Sequence, residues 1–303
     1  MKPTIYTLTG NLLWERTLEY ASWAPGQTQR AHAESFQVGG KGINVSRMLA
    51  RIGSPTLALC FSGGSVGADC LAWLSARGIP HHAFATTSAT RTGVVIRSEG
   101  QPETTFLGPD AAPDAAAWAA CAAYVEKIPT GDVLALCGSF PGWTTPEAEP
   151  LRIAIAHCAV RSTLVADTYG PPLLWALQQP LALVKINRDE FDAHQPESVQ
   201  AEPFATRLSS ALTQTRLQAW IVTDGADPVW LAQQGSPPHS ITPPLVKTIS
   251  PTGSGDVLLA CLLDGCYQRR LDLHAALARA LPYAAANAAH SGIANFDLNN
   301  LPT

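Results

Sequence analysis

Short unbroken apolar runs alternate along the chain with longer stretches whose apolar residues return at helical spacing. The runs at 5–9, 57–61, 132–137, 163–167, 181–186 and 218–223 predict strands. The run at 132–137 is apolar throughout after Asp132, as expected of a parallel strand covered by helices on both faces. Helices are predicted at 45–52, closed by Gly53, at 68–77, ended by Gly78, and at 112–127, 147–158, 172–177, 203–215, 257–268 and 273 to about 290. Two regions interrupt this alternation. Residues from about 10 to 36 are polar and aromatic around Pro25-Gly26, and 92–97 with 103–106 predicts a hairpin about Glu99-Gly100-Gln101-Pro102. We expect them to be lid segments, about 10–36 and 90–108, inserted in one domain spanning 1–303. Val229-Trp230-Leu231 and Leu245-Val246-Lys247 predict a meander at one sheet edge. Strands that alternate with helices predict an α/β fold with a doubly wound, mostly parallel central sheet flanked by helices. Ligands on such sheets sit at the carboxyl ends of strands. Gly138-Ser139, Asp167, Asn187 and Asp224-Gly225 all fall there.

Three clusters carry candidate chemistry. In Thr252-Gly253-Ser254-Gly255-Asp256, glycines precede an apolar helix, so backbone N–H groups can converge at its positive end and hold an anion such as a phosphate. Asp256 is then placed to take a proton from a hydroxyl that attacks that phosphate. A glycine turn with Asp256 as an ordinary N-cap fits the same five residues. In Gly39-Gly40-Lys41-Gly42-Ile43-Asn44, glycines permit close backbone approach, Lys41 supplies a point charge, and Asn44 can both donate to and accept from a sugar hydroxyl. A helix-start turn with a surface lysine is the plainer alternative. In Lys185-Ile186-Asn187-Arg188-Asp189-Glu190, Asn187 and Glu190 are spaced to hold a hydrated Mg²⁺ through its waters, or to form a capping box.

The chain has 303 residues, 46% hydrophobic and 15% charged, enough for a large core. Its net charge of −4 and scattered Lys and Arg give no basic patch, so no nucleic-acid partner is expected. A negative substrate would need a local positive site. Seven scattered cysteines without a CxxC pair read as reduced thiols, which suggests a cytoplasmic protein. The N-terminus lacks the apolar segment of a signal peptide, and no apolar stretch of about 18 residues suggests a membrane span.

Taken in order, the Gly39, Lys185 and Thr252 clusters resemble the ribokinase-like, PfkB-type carbohydrate kinases. They are most similar to the phosphosugar branch, which holds the 1-phosphofructokinases and tagatose-6-phosphate kinases. Gln29-Arg30-Ala31, Thr90-Arg91-Thr92, 137–142 and 223–227 fall where that branch has motifs, and the likeness runs from Ile5 to about Gly292. The resemblance implies a ribokinase-like fold with a small β lid over the substrate site. It also implies ATP-dependent transfer of a phosphoryl group to a hydroxymethyl group of a ketohexose phosphate. Asp256 would be the base, and the N–H groups of Gly253, Ser254 and Gly255 the anion hole. Asn187 and Glu190 would organise Mg²⁺ through water and the ATP phosphates, with Lys185 beside them. Lys41, Arg30 and Arg91 would grip the phosphate already on the sugar. Asn44, Glu15, Gly39, Gly40 and Ser139 would face the sugar. Thr223, Gly225 and Thr252 would border the nucleotide, with Asn287 on its adenine or ribose side.

The chain departs from that pattern in places. Asn11-Leu12-Leu13-Trp14-Glu15 stands where the branch reads Asn-Pro-Ala-(Leu/Ile)-Asp. Glu15 moves the carboxylate about one methylene outward and Trp14 is expected to add bulk beside it. Ser254, Val257 and Cys261 replace the usual alanine, serine and glycine, which leaves the backbone donors intact. A kinase of an unphosphorylated sugar or nucleoside is the first alternative, and a non-catalytic sugar-phosphate sensor the second. Retention of Asp256 argues against the sensor. Apolar residues on lid strands suggest a homodimer through the lid.

Overall fold

The computed structural model describes residues 2–303. In chain order the strands are β1 (Ile5–Thr9), β2 (Leu13–Tyr20), β3 (Ala33–Gly39), β4 (Thr56–Ser62), β5 (His81–Ala85), β6 (Arg91–Ser98), β7 (Thr104–Leu107), β8 (Val133–Cys137), β9 (Thr163–Asp167), β10 (Leu183–Asn187), β11 (Ala219–Asp224), β12 (Asp227–Gln233) and β13 (His239–Ile241). The helices are α1 (Lys41–Arg51), α2 (Gly64–Ala76), α3 (Ala115–Val125), α4 (Glu149–Arg161), α5 (Pro171–Ala176), α6 (Arg188–His194), α7 (Phe204–Thr213), α8 (Ser254–Leu263) and α9 (Leu273–Ala288).

Among the described residues, nine strands form one sheet in the order β13-β12-β11-β10-β9-β8-β1-β4-β5. Neighbours from β11 to β5 run parallel, and β12 and β13 add an antiparallel edge. Strand β8 shows why an unbroken apolar run was needed. Val133, Ala135 and Cys137 pack with α1, α8 and α9 on one face. Leu134 and Leu136 pack with the layer of α3, α4, α5, α6 and α7 on the other. Strand order reverses between β8 and β1, the switch point at which a doubly wound sheet opens a crevice. Thr9 and Cys137 end those two strands in register with each other, at the mouth of that crevice.

The interrupting segments form a second, four-stranded sheet in the order β3-β2-β6-β7. Along β2, Leu13, Glu15 and Thr17 are buried while Arg16 between them is exposed, the period-two pattern of a strand with one covered face.

Several expectations need correction. Helix α1 begins at Lys41, not at residue 45, because Gly42, Asn44 and Ser46 carry no apolar periodicity yet are buried in the helix. Helix α2 likewise begins at Gly64. The helix after the Gly253 loop ends at Leu263 and passes into a π-helical turn, Asp264–Gln268. Strand β5, His-His-Ala-Phe-Ala, was not anticipated, since an edge strand needs only one apolar face. Leu245-Val246-Lys247 forms no strand. It follows Pro243-Pro244, which lack N–H donors, and Leu245 is 92% exposed. The edge is closed instead by His239–Ile241. No helix among the described residues is long and apolar enough to cross a membrane.

Candidate active site

The first turn of α8 depends on two glycines. Gly253 precedes the helix in the left-handed region at φ 76°, and a Cβ there would lie 2.6 Å from the Ile293 side chain. A Cβ on Gly255 would lie 2.4 Å from Lys185 Nζ, so glycine is what lets that ammonium rest against the helix start. Ser254 N–H donates to Pro251 O at 3.2 Å and closes the turn, so it is less free than expected for the anion hole. Gly255 and Asp256, as first-turn residues, have no intrahelical acceptor for their N–H groups, and these point along the positive end of the helix.

Asp256 is not a helix cap. Its Oδ2 accepts from Asn44 Nδ2 on α1 at 2.7 Å, and no side chain caps α8. The residue is 6% exposed and lines the crevice. Burial first, then the charge of Asp167, push its carboxyl up to about 6, while Lys185, Lys41 and the Asn44 amide pull the other way. Asn44 Oδ1 is buried with no partner among the described residues, which leaves an acceptor for a ligand hydroxyl.

Behind this pair lies a charge network. Asp167, fully buried at the end of β9, accepts from Lys41 Nζ at 2.7 Å on one oxygen and from Lys185 Nζ at 2.9 Å on the other. Lys41 also reaches Glu190 Oε1 at 2.8 Å and lies 5.5 Å over the Tyr169 ring. Burial disfavours the Lys41 ammonium, but Asp167, Glu190 and Asp256 outweigh it and hold its pKa above the usual range. Burial likewise opposes the Asp167 carboxylate, and the two lysines outweigh it and hold its pKa below the usual 3.8.

Asn187 and Glu190 do form a capping box. Asn187 Oδ1 accepts from Glu190 N at 2.7 Å, and Glu190 Oε2 accepts from Asn187 N at 3.0 Å. Both residues also line the crevice, so the cap and a ligand-facing role coexist. One Glu190 oxygen accepts from Lys41 Nζ and the other from Asn187 N, which leaves each a further lone pair for a water of a hydrated ion. Among the described residues no cluster of three His, Cys, Asp or Glu could hold a metal ion. The donor set fits a hydrated Mg²⁺ brought with nucleotide phosphates, whose waters Glu190 and Asn187 would hold.

At the small sheet, Glu15 is 6% exposed and its Oε1 accepts from Gln37 Nε2 on β3 at 2.5 Å. Burial pushes its carboxyl up, and the Gln37 bond partly offsets this. Trp14 does not crowd that carboxylate, contrary to expectation. It stacks on Phe36, centroids 5.7 Å apart, because adjacent strand residues point to opposite faces. Arg91, at the start of β6, donates through Nη1 to Asp110 Oδ1 at 2.7 Å. Asn11 Nδ2 donates to the same oxygen at 2.7 Å and to Ser139 Oγ at 3.0 Å.

One crevice of about 550 Å³ brings these groups together. It is lined by Glu15, Gly39, Gly40, Lys41, Asn44, Arg91 and Ser139. Lys185, Asn187, Glu190, Thr223, Gly225 and the 252–256 loop line it as well. Another stretch of wall is apolar, from Val229, Pro244, Val246, Leu281, Ala285 and Ile293. Two expected residues stand outside. Arg30 is exposed in the loop between β2 and β3, so the three-cation grip expected of Lys41, Arg30 and Arg91 is not assembled in one chain. Lys41 and Arg91, moreover, share no partner. Asn287 is 1% exposed and sits behind the loop, donating to Thr252 O and Ser254 Oγ at 3.0 Å each and accepting from Ala294 N at 2.7 Å. It buttresses the loop and does not line the crevice. Sequence reasoning gave no role to Asp167, Tyr169, Gln37, Asp110 or Glu103. The last accepts from Thr252 Oγ1 at 2.7 Å. Only Asp167 carried a signal, its place after a strand.

Comparison with known proteins bears on the family and the fold. The sequence pattern described as pfkB family carbohydrate kinase matches residues 10–300. A 1-phosphofructokinase of Bacillus subtilis (strain 168) is 26% identical over 269 residues, 86% of this chain and 85% of that protein. A 1-phosphofructokinase of Rhodobacter capsulatus is 28% identical over 263 residues, 86% of this chain and 82% of that one. In fold, the chain is similar to Escherichia coli phosphofructokinase-2 in complex with fructose-6-phosphate, with a TM-score of 0.84, 22% identity and coverage of 94% and 93% of the two chains.

Proposed function

The chain belongs to the pfkB family of carbohydrate kinases, which makes it a phosphotransferase, and we propose that it transfers the γ-phosphoryl group of ATP to a hydroxymethyl group of a ketohexose phosphate. This is the activity type of a 1-phosphofructokinase or tagatose-6-phosphate kinase. The observation that carries the proposal is Asp256, a buried carboxyl raised to about 6, fixed by Asn44 and set in the first turn of α8 on the crevice wall. A carboxyl with that pKa is mostly ionised at neutral pH and still basic enough to take a proton.

In this reading the acceptor hydroxyl gives its proton to Asp256 as its oxygen attacks the γ-phosphorus, and ADP leaves with the former bridging oxygen. The N–H groups of Gly255 and Asp256, with Lys185 packed on the same turn, stabilise the moving phosphoryl group. The three carboxylates that line the crevice (Glu15, Glu190, Asp256) equal its three cations (Lys41, Lys185, Arg91), and Asp167 buried behind them holds both lysines, so the nucleotide's charge needs its own counter-ion. A bound Mg²⁺ would supply that neutralisation, held by Glu190 and Asn187 through water. Thr223, Gly225 and the apolar wall would take the nucleoside, and Glu15 and the free Asn44 oxygen the sugar hydroxyls. Closure of the small sheet over the crevice would exclude water from the transfer. Phe36, Phe106 and Leu107, exposed on that sheet by 41%, 54% and 54%, support a homodimer through it.

Two observations favour an unphosphorylated acceptor as the second reading: Arg91 is already paired with Asp110, and Arg30 is off the crevice. ADP release with a panel of free and phosphorylated ketoses decides between them. Turnover of fructose 1-phosphate or tagatose 6-phosphate above that of any free sugar supports the first reading. A preference for the free sugar supports the second.

A further inference from the structure

Arg91 faces the crevice already bound to a carboxylate. Its side chain is 13% exposed, and its Nη1 contacts Asp110 Oδ1 at 2.7 Å. Asn11 Nδ2 contacts the same oxygen at 2.7 Å, with the Ser139 hydroxyl 3.0 Å from that amide. A guanidinium and an amide converge on that one oxygen, with the Ser139 hydroxyl accepting from the same amide beside them, and a charged fork with an amide is the donor set of an oxyanion site. Here the oxyanion belongs to the chain itself. Asp110 holds Arg91 through one nitrogen only, and Arg91 Nε is buried with no partner among the described residues. Asp110 meets the guanidinium through one oxygen, side-on and not as a fork, which leaves donor capacity on Arg91 that a phosphate can use. Asp110 lies in the irregular segment after β7, with its side chain 54% exposed, so it can swing to solvent at little cost.

We propose that Asp110 is a specificity-determining residue that stands in for the acceptor's phosphate and competes with it for Arg91 and Asn11. An uncharged acceptor leaves Asp110 in place. A phosphorylated acceptor gains Arg91 only by expelling a like charge, so Asp110 sets how strongly the site prefers phosphorylated sugars. The inference rests on the reading that Arg91 faces the acceptor's phosphate, and the controls separate the two.

The test is equilibrium binding of fructose 1-phosphate and of fructose, by calorimetry, to the full chain and to Asp110→Asn, Asp110→Ala and Arg91→Met. Binding does not depend on turnover. Releasing Arg91 from a half-exposed carboxylate should tighten fructose 1-phosphate relative to fructose by about fivefold in both Asp110 variants, the scale of such an ion pair. Unchanged or weaker binding in both variants overturns the proposal and makes Asp110 a strut that orients Arg91. Arg91→Met should weaken fructose 1-phosphate. If it does so while the Asp110 variants fail to tighten it, the inference falls and the role of Arg91 stands. If Arg91→Met has no effect, or if no protein in the set binds fructose 1-phosphate, the role of Arg91 falls and the inference with it.

Discussion

Asp167→Asn tests the charge network behind Asp256 through two readouts of opposite kind. The carboxylate is fully buried and holds Lys41 and Lys185 at 2.7 and 2.9 Å, and Lys185 is itself 4% exposed. Neutralising it leaves two ammonium groups without their shared partner, which for a buried pair costs about 3 to 5 kcal/mol. In a chain of this size that lowers Tm by roughly 5 to 8 °C. The pH dependence has a definite sign. The Asp167 pKa is lowered by folding, so its stabilisation is present above the usual 3.8 and is lost as pH falls through the lower folded value. The stability gap between wild type and variant should therefore narrow in acid. The second readout is catalytic. Asp167 is the largest charge effect raising Asp256, and the two lysines it releases lower Asp256 further. A like charge acting through an effective dielectric of about 20 is worth on the order of 1 to 2 kcal/mol in such a site, or roughly one pH unit. The acid limb of kcat/KM, expected near pH 6 in the wild type, should move down by that amount when kcat/KM is followed by coupled ADP release. A limb that stays in place or moves up refutes the coupling.

Two further substitutions probe the walls of the site. Gly255→Ala puts a methyl 2.4 Å from Lys185 Nζ, and kcat should fall at least about tenfold, with Tm lowered as well because the displaced ammonium is the buried partner of Asp167. Retention of full kcat would mean Lys185 has no part in the transfer. Glu15→Asp withdraws a carboxylate now held by Gln37 at 2.5 Å and opens room for the acceptor, so the ratio of kcat/KM for a larger over a smaller sugar should rise, about tenfold at most. An unaltered ranking across the panel would remove Glu15 from acceptor selection.

Much of the fold was legible because each parallel strand is covered on both faces and reads as an unbroken apolar run. The polar residues that end those strands gave the edge where the crevice lies. Helix starts were less legible, because α1 and α2 open on glycine and small polar residues that are buried by close packing and not by apolar character. At the site, loops whose glycines mark backbone approach were readable, and Asp256, Asn44 and Lys41 do meet. What one sequence could not show was pairing across distance. Asp167 joins two lysines from different strands and helices, and Gln37 reaches Glu15 across a ladder. Asp110 occupies an arginine brought to it by a separate strand. Trp14 turns away from Glu15 for a simpler reason: neighbours in sequence are on opposite faces of a strand.

The central claim is that Asp256 is the base of a phosphoryl transfer, and Asp256→Asn tests it most directly. The amide keeps an acceptor for Asn44 and loses the buried charge. Since burial raises the Asp256 pKa above its usual 3.8, the ionised group costs stability as pH rises from that value through about 6, and the variant should melt no lower than wild type at neutral pH. With the fold so checked, ADP release with the best acceptor of the panel should drop about 10² to 10⁴-fold in kcat while KM for that acceptor changes only a few-fold. Turnover within about tenfold of wild type, in a variant that folds and binds, would contradict the account.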